Sequence, residues 1–194
     1  MAEKKFTKQL FVTGRVSYVN VFRPRPKGPN EPKDSPDKYG LAILVPKNDK
    51  AQIKAIEAAF LEVAKENFGP TADKLMKGGK IATVWRDGDL EEGKQGYEGH
   101  MFFNASASRK PGVVDVNRQA IDDPEAFYSG CYAQVSVTIY SYTTPKSGVT
   151  AGLNNIRKIK DGERLDGRVA AEAEEWPTVE GEDEDGGDDG SDLV

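Results

Sequence analysis

Apolar and polar residues alternate most regularly between Tyr128 and Tyr142. Cys131, Ala133, Val135, Val137 and Ile139 fall on one side, and Tyr132, Gln134, Ser136, Thr138, Tyr140 and Tyr142 on the other. Alternation of period two is the mark of a strand with one face toward a core. Val149 to Ile159 follows after the turn residues Thr144-Pro145-Lys146-Ser147-Gly148, which predicts a hairpin. An earlier strand is predicted over Gln9 to Phe22, with Leu10, Val12, Val16 and Tyr18 on one face and Phe11, Thr13, Arg15 and Ser17 on the other. Gly14 within it marks an expected bulge or bend. Tyr39 to Val45 is apolar enough for a central strand, Thr83 to Arg86 reads as a brief one, and His100 to Ser108 as another. In the last, Met101, Phe103, Ala105 and Ala107 make the more apolar set, so Phe102 is expected on the more exposed face.

The period changes to helical after Asn48 and Asp49, either of which can cap. Ile53, Ile56, Phe60 and Val63 form one stripe, and Gly69-Pro70 ends the helix near Phe68. A second short helix is predicted around Ala72 to Met76, and one turn at Asp123 to Phe127. Arg23 to Lys38 reads as a loop with five prolines, and Asp87 to Gly99 as a polar loop. About five strands with one inserted helix suit a mainly β Greek-key barrel of the oligonucleotide/oligosaccharide-binding type, the OB-fold. A generic antiparallel α+β sheet also fits.

Charge divides the chain. From Glu172 to the end there are 11 acidic residues and no basic one, leaving residues 1–171 with 21 acids against 27 bases, a net charge of +6. The expected organisation is therefore a basic domain, residues 1–171, and an acidic tail, residues 172–194, too polar to form a core. A basic body points to a polyanionic partner, and a tethered acidic tail can compete for the same surface. Cys131 is the single cysteine, so no internal disulfide and no cysteine-rich metal site can form. No apolar run approaches the roughly 20 residues that cross a bilayer. With no disulfide and no secretory pattern at the N-terminus, a cytoplasmic setting is expected.

Enzyme signals are weak. His100 is the sole histidine and begins a predicted strand. Asp87-Gly88-Asp89 is a polar turn that a metal-dependent nuclease would have to use as ligands, and Gly78-Gly79-Lys80 lacks the frame of a phosphate loop. Tyrosines on a polar strand face can be ordinary packing, or a platform on which unpaired bases stack. The basic loop can be a solvated loop, or an arm that follows phosphates.

Six segments in order carry a resemblance: Ser35-Pro36-Asp37-Lys38-Tyr39-Gly40, Arg86-Asp87-Gly88-Asp89, Gly99-His100-Met101-Phe102-Phe103-Asn104-Ala105, Lys110-Pro111-Gly112-Val113-Val114-Asp115, Tyr128-Ser129-Gly130-Cys131-Tyr132-Ala133 and Gly148-Val149-Thr150-Ala151-Gly152-Leu153-Asn154-Asn155. Over roughly Phe6 to Arg168 the chain resembles a family of tailed-phage single-stranded DNA-binding proteins with the OB-fold. The resemblance implies a non-enzymatic coat for exposed single strands in replication, recombination and repair, acting in the host cytoplasm. It also implies an acidic tail that covers the groove and recruits replication proteins. This chain ends in Leu193-Val194, where the best-known pattern ends in an aromatic residue. The expected phosphate contacts are Arg15, Arg23, Arg25, Lys27, Lys38, Arg86, Arg109, Lys110, Arg157 and Lys158. The expected base contacts are Tyr39, Trp85, Phe102, Tyr132, Tyr140 and Tyr142. No cofactor or metal is expected; the partners are single-stranded DNA, replication proteins through the tail, and a second copy if the protein dimerises. The alternative is a protein-interaction module whose acidic tail mimics DNA.

Overall fold

The computed structural model describes residues 5–26 and 36–165. Its strands are β1 (Lys8–Arg25), β2 (Lys38–Pro46), β3 (Ala82–Thr83), β4 (Arg86–Asp87), β5 (His100–Ala107), β6 (Gly112–Val114), β7 (Tyr132–Tyr142) and β8 (Gly148–Lys160). Its helices are α1 (Lys50–Phe68) and α2 (Ala72–Lys77). β1 pairs antiparallel with β2 and β7, β2 with β5, and β7 with β8. A parallel pairing of β5 with β8, Ala105 opposite Ala151, closes the ring. The result is a closed five-stranded barrel of β1, β2, β5, β8 and β7, the OB arrangement expected from the element count. β3 and β6 add to β8, and β4 adds to β5.

Alternation fills the barrel. Val12, Val16, Leu41, Ile43, Val45, Phe103, Ala105, Val135, Val137 and Ile139 all point inward and are buried. α1 lies against β1, β7 and β8 and adds Ile56, Phe60 and Val63 to the same core. Phe60 meets Phe103 edge-on at 5.8 Å. Asp49 is the N-cap, its carboxylate accepting from Gln52 N–H at 3.1 Å.

Several expectations are corrected. β1 is regular at Gly14, which stands opposite Ala133; a Cβ there would overlap the Leu44 carbonyl. Glycine serves close packing at that position, and the bulge lies between Ser17 and Asn20. The bulge turns Tyr18 out to solvent, 58% exposed, instead of inward with Val12 and Val16, and Ser17 is buried in its place. Arg23 to Arg25 belong to β1, with Arg25 opposite Lys38, so this part of the expected loop is the base of a hairpin. Strand β7 starts at Tyr132, because Tyr128 to Cys131 form a turn around Gly130. The φ of Gly130 is 121°, and the Glu163 carbonyl occupies the place of a Cβ. Thr83 to Arg86 is split into the ends of β3 and β4, which pair with different strands. Asp123 to Phe127 makes a turn, Ala126 N–H to Asp123 C=O at 3.1 Å, and β6 has no counterpart in the expected elements.

Phe102 is the largest correction. Both faces of β5 are covered there, so Phe102 is as buried as Phe103. It joins Ala42, Leu44 and Tyr97 in a second cluster on the outer surface of the barrel.

Candidate nucleic-acid interface

The second cluster exists because residues 88–99 fold back over β2 and β5. Lys47 anchors this loop by pairing with Asp87 at 2.6 Å and with Asp89. These hydrogen bonds hold both carboxyls below the ordinary aspartate value and raise Lys47 above the ordinary lysine value. Asp89 also accepts from Gly99 N–H at 2.6 Å, and Asp87 from Asp89 N–H at 2.9 Å. The two carboxylates suggested as nuclease ligands are thus engaged by a lysine, and no cluster of three metal-ligating side chains occurs among the described residues. Tyr97 drops from the loop onto Phe102, 4.9 Å edge-on, and its hydroxyl meets Ser17. Burial pushes the Tyr97 phenol up.

Below this loop the barrel surface is open. A groove of about 510 Å³ runs between Tyr18, Asn20 and Arg25 of β1, Lys38, Tyr39 and Gly40 of β2, Asn104 and Ser106 of β5, and Thr150 of β8, with Lys94 and Tyr97 as its upper wall. The Lys94 ammonium lies 6.0 Å from the Tyr18 ring, 5.4 Å from Tyr97 and 5.7 Å from Phe102. It also pairs with Glu91 at 2.5 Å, and this bond holds the Glu91 carboxyl below its usual value. Thr150 stands opposite Tyr140, which is 38% exposed and rests against Gly152, so the surface continues around the barrel to β7. Chemically, the groove joins cations, phenol rings and amide or hydroxyl groups along one concave track.

The expected site residues separate into groups. Arg25, Lys38 and Tyr39 line the groove, with Tyr140 at its margin. Tyr142 lies on the same strand with its ring filling the space above Gly148. Arg23 sits farther along β1, facing Phe127, Tyr128 and Arg164. Lys27 lies outside the described residues, as does the acidic tail. Arg109 is exposed between β5 and β6; Lys110 pairs with Asp122 at 3.6 Å and lies over Phe22.

Other candidates are committed to the fold. Arg15 donates to the carbonyls of Gly130, 3.2 Å, and Glu163, 2.6 Å, and covers Tyr132. Tyr132 is further covered by Lys160, 4.7 Å from the ring centroid. Lys158 donates to Ala126 C=O and to Asp161, at 2.5 and 2.6 Å; burial works to lower its pKa, but the bond to Asp161 carries it above the ordinary value. Arg157 donates to Gln134 at 2.5 Å. Arg86 lies 4.9 Å over Phe102 and pairs with Glu91. Trp85 packs on Phe103 and donates to Glu57 at 3.3 Å, which places it on the α1 side and away from the groove. Phe102, buried, is the floor under Tyr97 and offers no ring to a base.

Sequence reasoning missed Tyr18, Asn20, Lys94, Tyr97, Asn104, Ser106 and Thr150. Tyr18 carried a readable signal: across Tyr18-Val19 the apolar phase of β1 passes from Val12 and Val16 to Val19 and Val21. Nothing local to Lys94 or Tyr97 distinguishes them from loop residues.

Comparison with known proteins supplies independent findings. A family model described as the ssDNA-binding protein of Enterobacter phage Enc34 matches residues 7–186. Protein p50 of Acyrthosiphon pisum secondary endosymbiont phage 1 is 31% identical over 144 residues, which span 72% of this chain and 78% of that protein. The structure of the bacteriophage Enc34 single-stranded DNA-binding protein in complex with ssDNA aligns with a TM-score of 0.64 at 25% identity, covering 81% of this chain and 89% of that one. A single-stranded DNA-binding protein encoded by bacteriophage T7 shares the fold, with a TM-score of 0.56 at 13% identity over 95% of this chain and 100% of that one.

Proposed function

The chain belongs to the Enterobacter phage Enc34 ssDNA-binding protein family, and from that membership we propose that it binds single-stranded DNA in the groove of β1, β2, β5 and β8. The observation that carries this reading is the groove itself, where Lys38 and Lys94 stand beside exposed or half-exposed tyrosines on a concave barrel face. Cations neutralise phosphates and release counterions, while phenol rings stack on unpaired bases whatever their identity. Neither contact reads sequence, so the binding is sequence-independent. Duplex DNA hides the base faces that the tyrosines need, so single strands are preferred.

In this reading the protein coats and protects single strands during phage DNA replication, recombination or repair in the host cytoplasm, as a binder and not a catalyst. Residues 1–171 are the binding domain. Residues 172–194, with 11 acids and no base, compete with DNA for the groove, and they are the segment that recruits replication proteins. Tethering gives such a segment an effective concentration of about millimolar at a basic surface.

Fluorescence anisotropy with labelled oligo-dT and a duplex of equal length tests the proposal. Tight binding of oligo-dT, weaker binding of duplex, and a log–log salt slope of about −0.7 per phosphate neutralised are expected. Equal affinity for both forms, or no salt dependence, contradicts the proposal. Deleting Glu172–Val194 tightens binding if the tail competes. Unchanged affinity removes the competition, and loss of function with the tail favours the DNA-mimic alternative.

A further inference from the structure

Tyr18 has a backbone φ of 48°, in the left-handed region that large L side chains rarely adopt. It is one of two non-glycine residues with positive φ among the described residues, and the other, Arg118, lies in the turn after β6. A strained aromatic persists only when its surroundings hold it, and such strain gathers at functional positions. Here the surroundings are identifiable. The β1 register breaks between Ser17 and Asn20. Ser129 Oγ accepts from Val19 N–H at 3.0 Å, Gly130 N–H donates to Val16 C=O at 2.7 Å, and the Asn20 side-chain amide donates to Tyr18 C=O at 2.9 Å. These bonds fix the backbone on both sides of the bulge. The ring they evert is 58% exposed, the most exposed tyrosine in the barrel wall. Tyr97 touches its edge at 6.4 Å and an angle of 65°, and Lys94 stands 6.0 Å from its centroid.

A buried ring would account for the strain by packing, but this ring is mostly in solvent. The bulge spends backbone strain to put an aromatic plane into a polar groove with a cation beside it. A flat, electron-rich ring with an adjacent ammonium suits a nucleobase with its phosphate. We propose that Tyr18 is a base-stacking residue of the groove, and that Ser129 is the positioning residue that holds it there through Val19. This inference rests on the groove being the single-strand site.

Two substitutions separate a stacking role from a packing one. Tyr18→Phe keeps the ring; oligo-dT affinity should stay within about twofold, since stacking needs the π-face and not the hydroxyl. Tyr18→Asn removes the ring but suits the left-handed backbone, because asparagine tolerates that region. Its affinity should fall roughly 5- to 150-fold, the equivalent of one stacked base, with a Tm at or above that of the parent protein. Ser129→Ala should weaken oligo-dT binding in the same direction by less, and its effect should vanish in the Tyr18→Asn background. Parent-like affinity of Tyr18→Asn, or a Tm several degrees below the parent, would make Tyr18 a structural residue and overturn the inference while leaving the groove in place. If the full-length parent protein binds no oligo-dT, the groove reading and the inference fall together.

Discussion

On the wall made by the first half of β1 with β7 and β8, polar side chains bond to one another. Gln9 donates to Ser136 at 3.1 Å, Asn154 donates to Ser136 and Thr138 at 3.3 and 3.0 Å, and Arg157 donates to Gln134. On the wall made by the second half of β1 with β2 and β5, Lys38, Tyr39, Asn104 and Ser106 make no such side-chain bonds among the described residues. Both walls are outer barrel surface, although β7 alternates while β2 and β5 are buried on both faces where the 88–99 loop covers them. They differ in what remains for a ligand. The side chains just named on the first wall already bond to one another, so a nucleic acid there would have to break bonds as costly as those it makes. On the second wall the side chains of Lys38, Tyr39, Asn104 and Ser106 are left for a ligand, beside Asn20, which donates to Tyr18 C=O, and Lys94, which pairs with Glu91.

The contrast can be broken from either side. The largest effect is expected from Tyr97→Ala, which empties the second cluster beneath the 88–99 loop. Loss of a buried aromatic costs about 3–5 kcal/mol, so thermal unfolding should drop by many degrees and oligo-dT binding should weaken as the upper wall loosens. Asn154→Ala on the opposite wall removes bonds to Ser136 and Thr138 for about 1 kcal/mol of stability, and oligo-dT affinity should not change. Lys38→Ala should do the reverse: stability within about 0.5 kcal/mol, and a salt slope for oligo-dT shallower by about 0.7.

A smaller effect concerns acid. Lys47 holds Asp87 and Asp89 at pKa values below those of the unfolded chain. Carboxyls depressed by folding stabilise the native state above their unfolded value near pH 4, and that contribution fades as the pH falls through the lower native value. Lowering the pH from about 5 to 3 should therefore loosen the 88–99 loop, seen as faster limited proteolysis. In Lys47→Met the carboxyls lose their partner, so the change with pH should be much smaller. The carboxylates are solvent-exposed and the effect on global Tm is modest.

The same contrast explains what could be read from the sequence. The alternation of β7 and the stripe Ile56, Phe60, Val63 follow directly from periods of two and 3.6, because one core lies on one side of each element. The five barrel strands and the packed helix were legible on that basis. Phe102 was not, since periodicity assigns a residue to a face but cannot say what covers that face. Here a polar loop, tied by Lys47, brings Tyr97 over it. Tyr18 was grouped with Val12 and Val16 for a related reason: a bulge shifts the phase by a residue, and one alternation carried through the whole of β1 passes over the shift to Val19 and Val21.

The charge split was legible in sum but not in detail. Arg15 and Lys158 add to the basic total, yet both are occupied by backbone carbonyls. A formal charge counts them equally with Lys38. Candidate phosphate contacts could be separated from structural cations only when their partners were seen. Lys94 escaped notice because its neighbour in space, Tyr18, lies far from it in sequence.

Amide hydrogen exchange on the full chain, with and without saturating oligo-dT, tests the central claim most directly. The account predicts added protection in Tyr18–Arg25, Lys38–Ala42, Lys94–Tyr97 and Asn104–Ser106, with Gln9–Thr13 and Gln134–Thr138 unchanged. Protection confined to Gln9–Thr13 and Gln134–Thr138, with none in the groove, would contradict it.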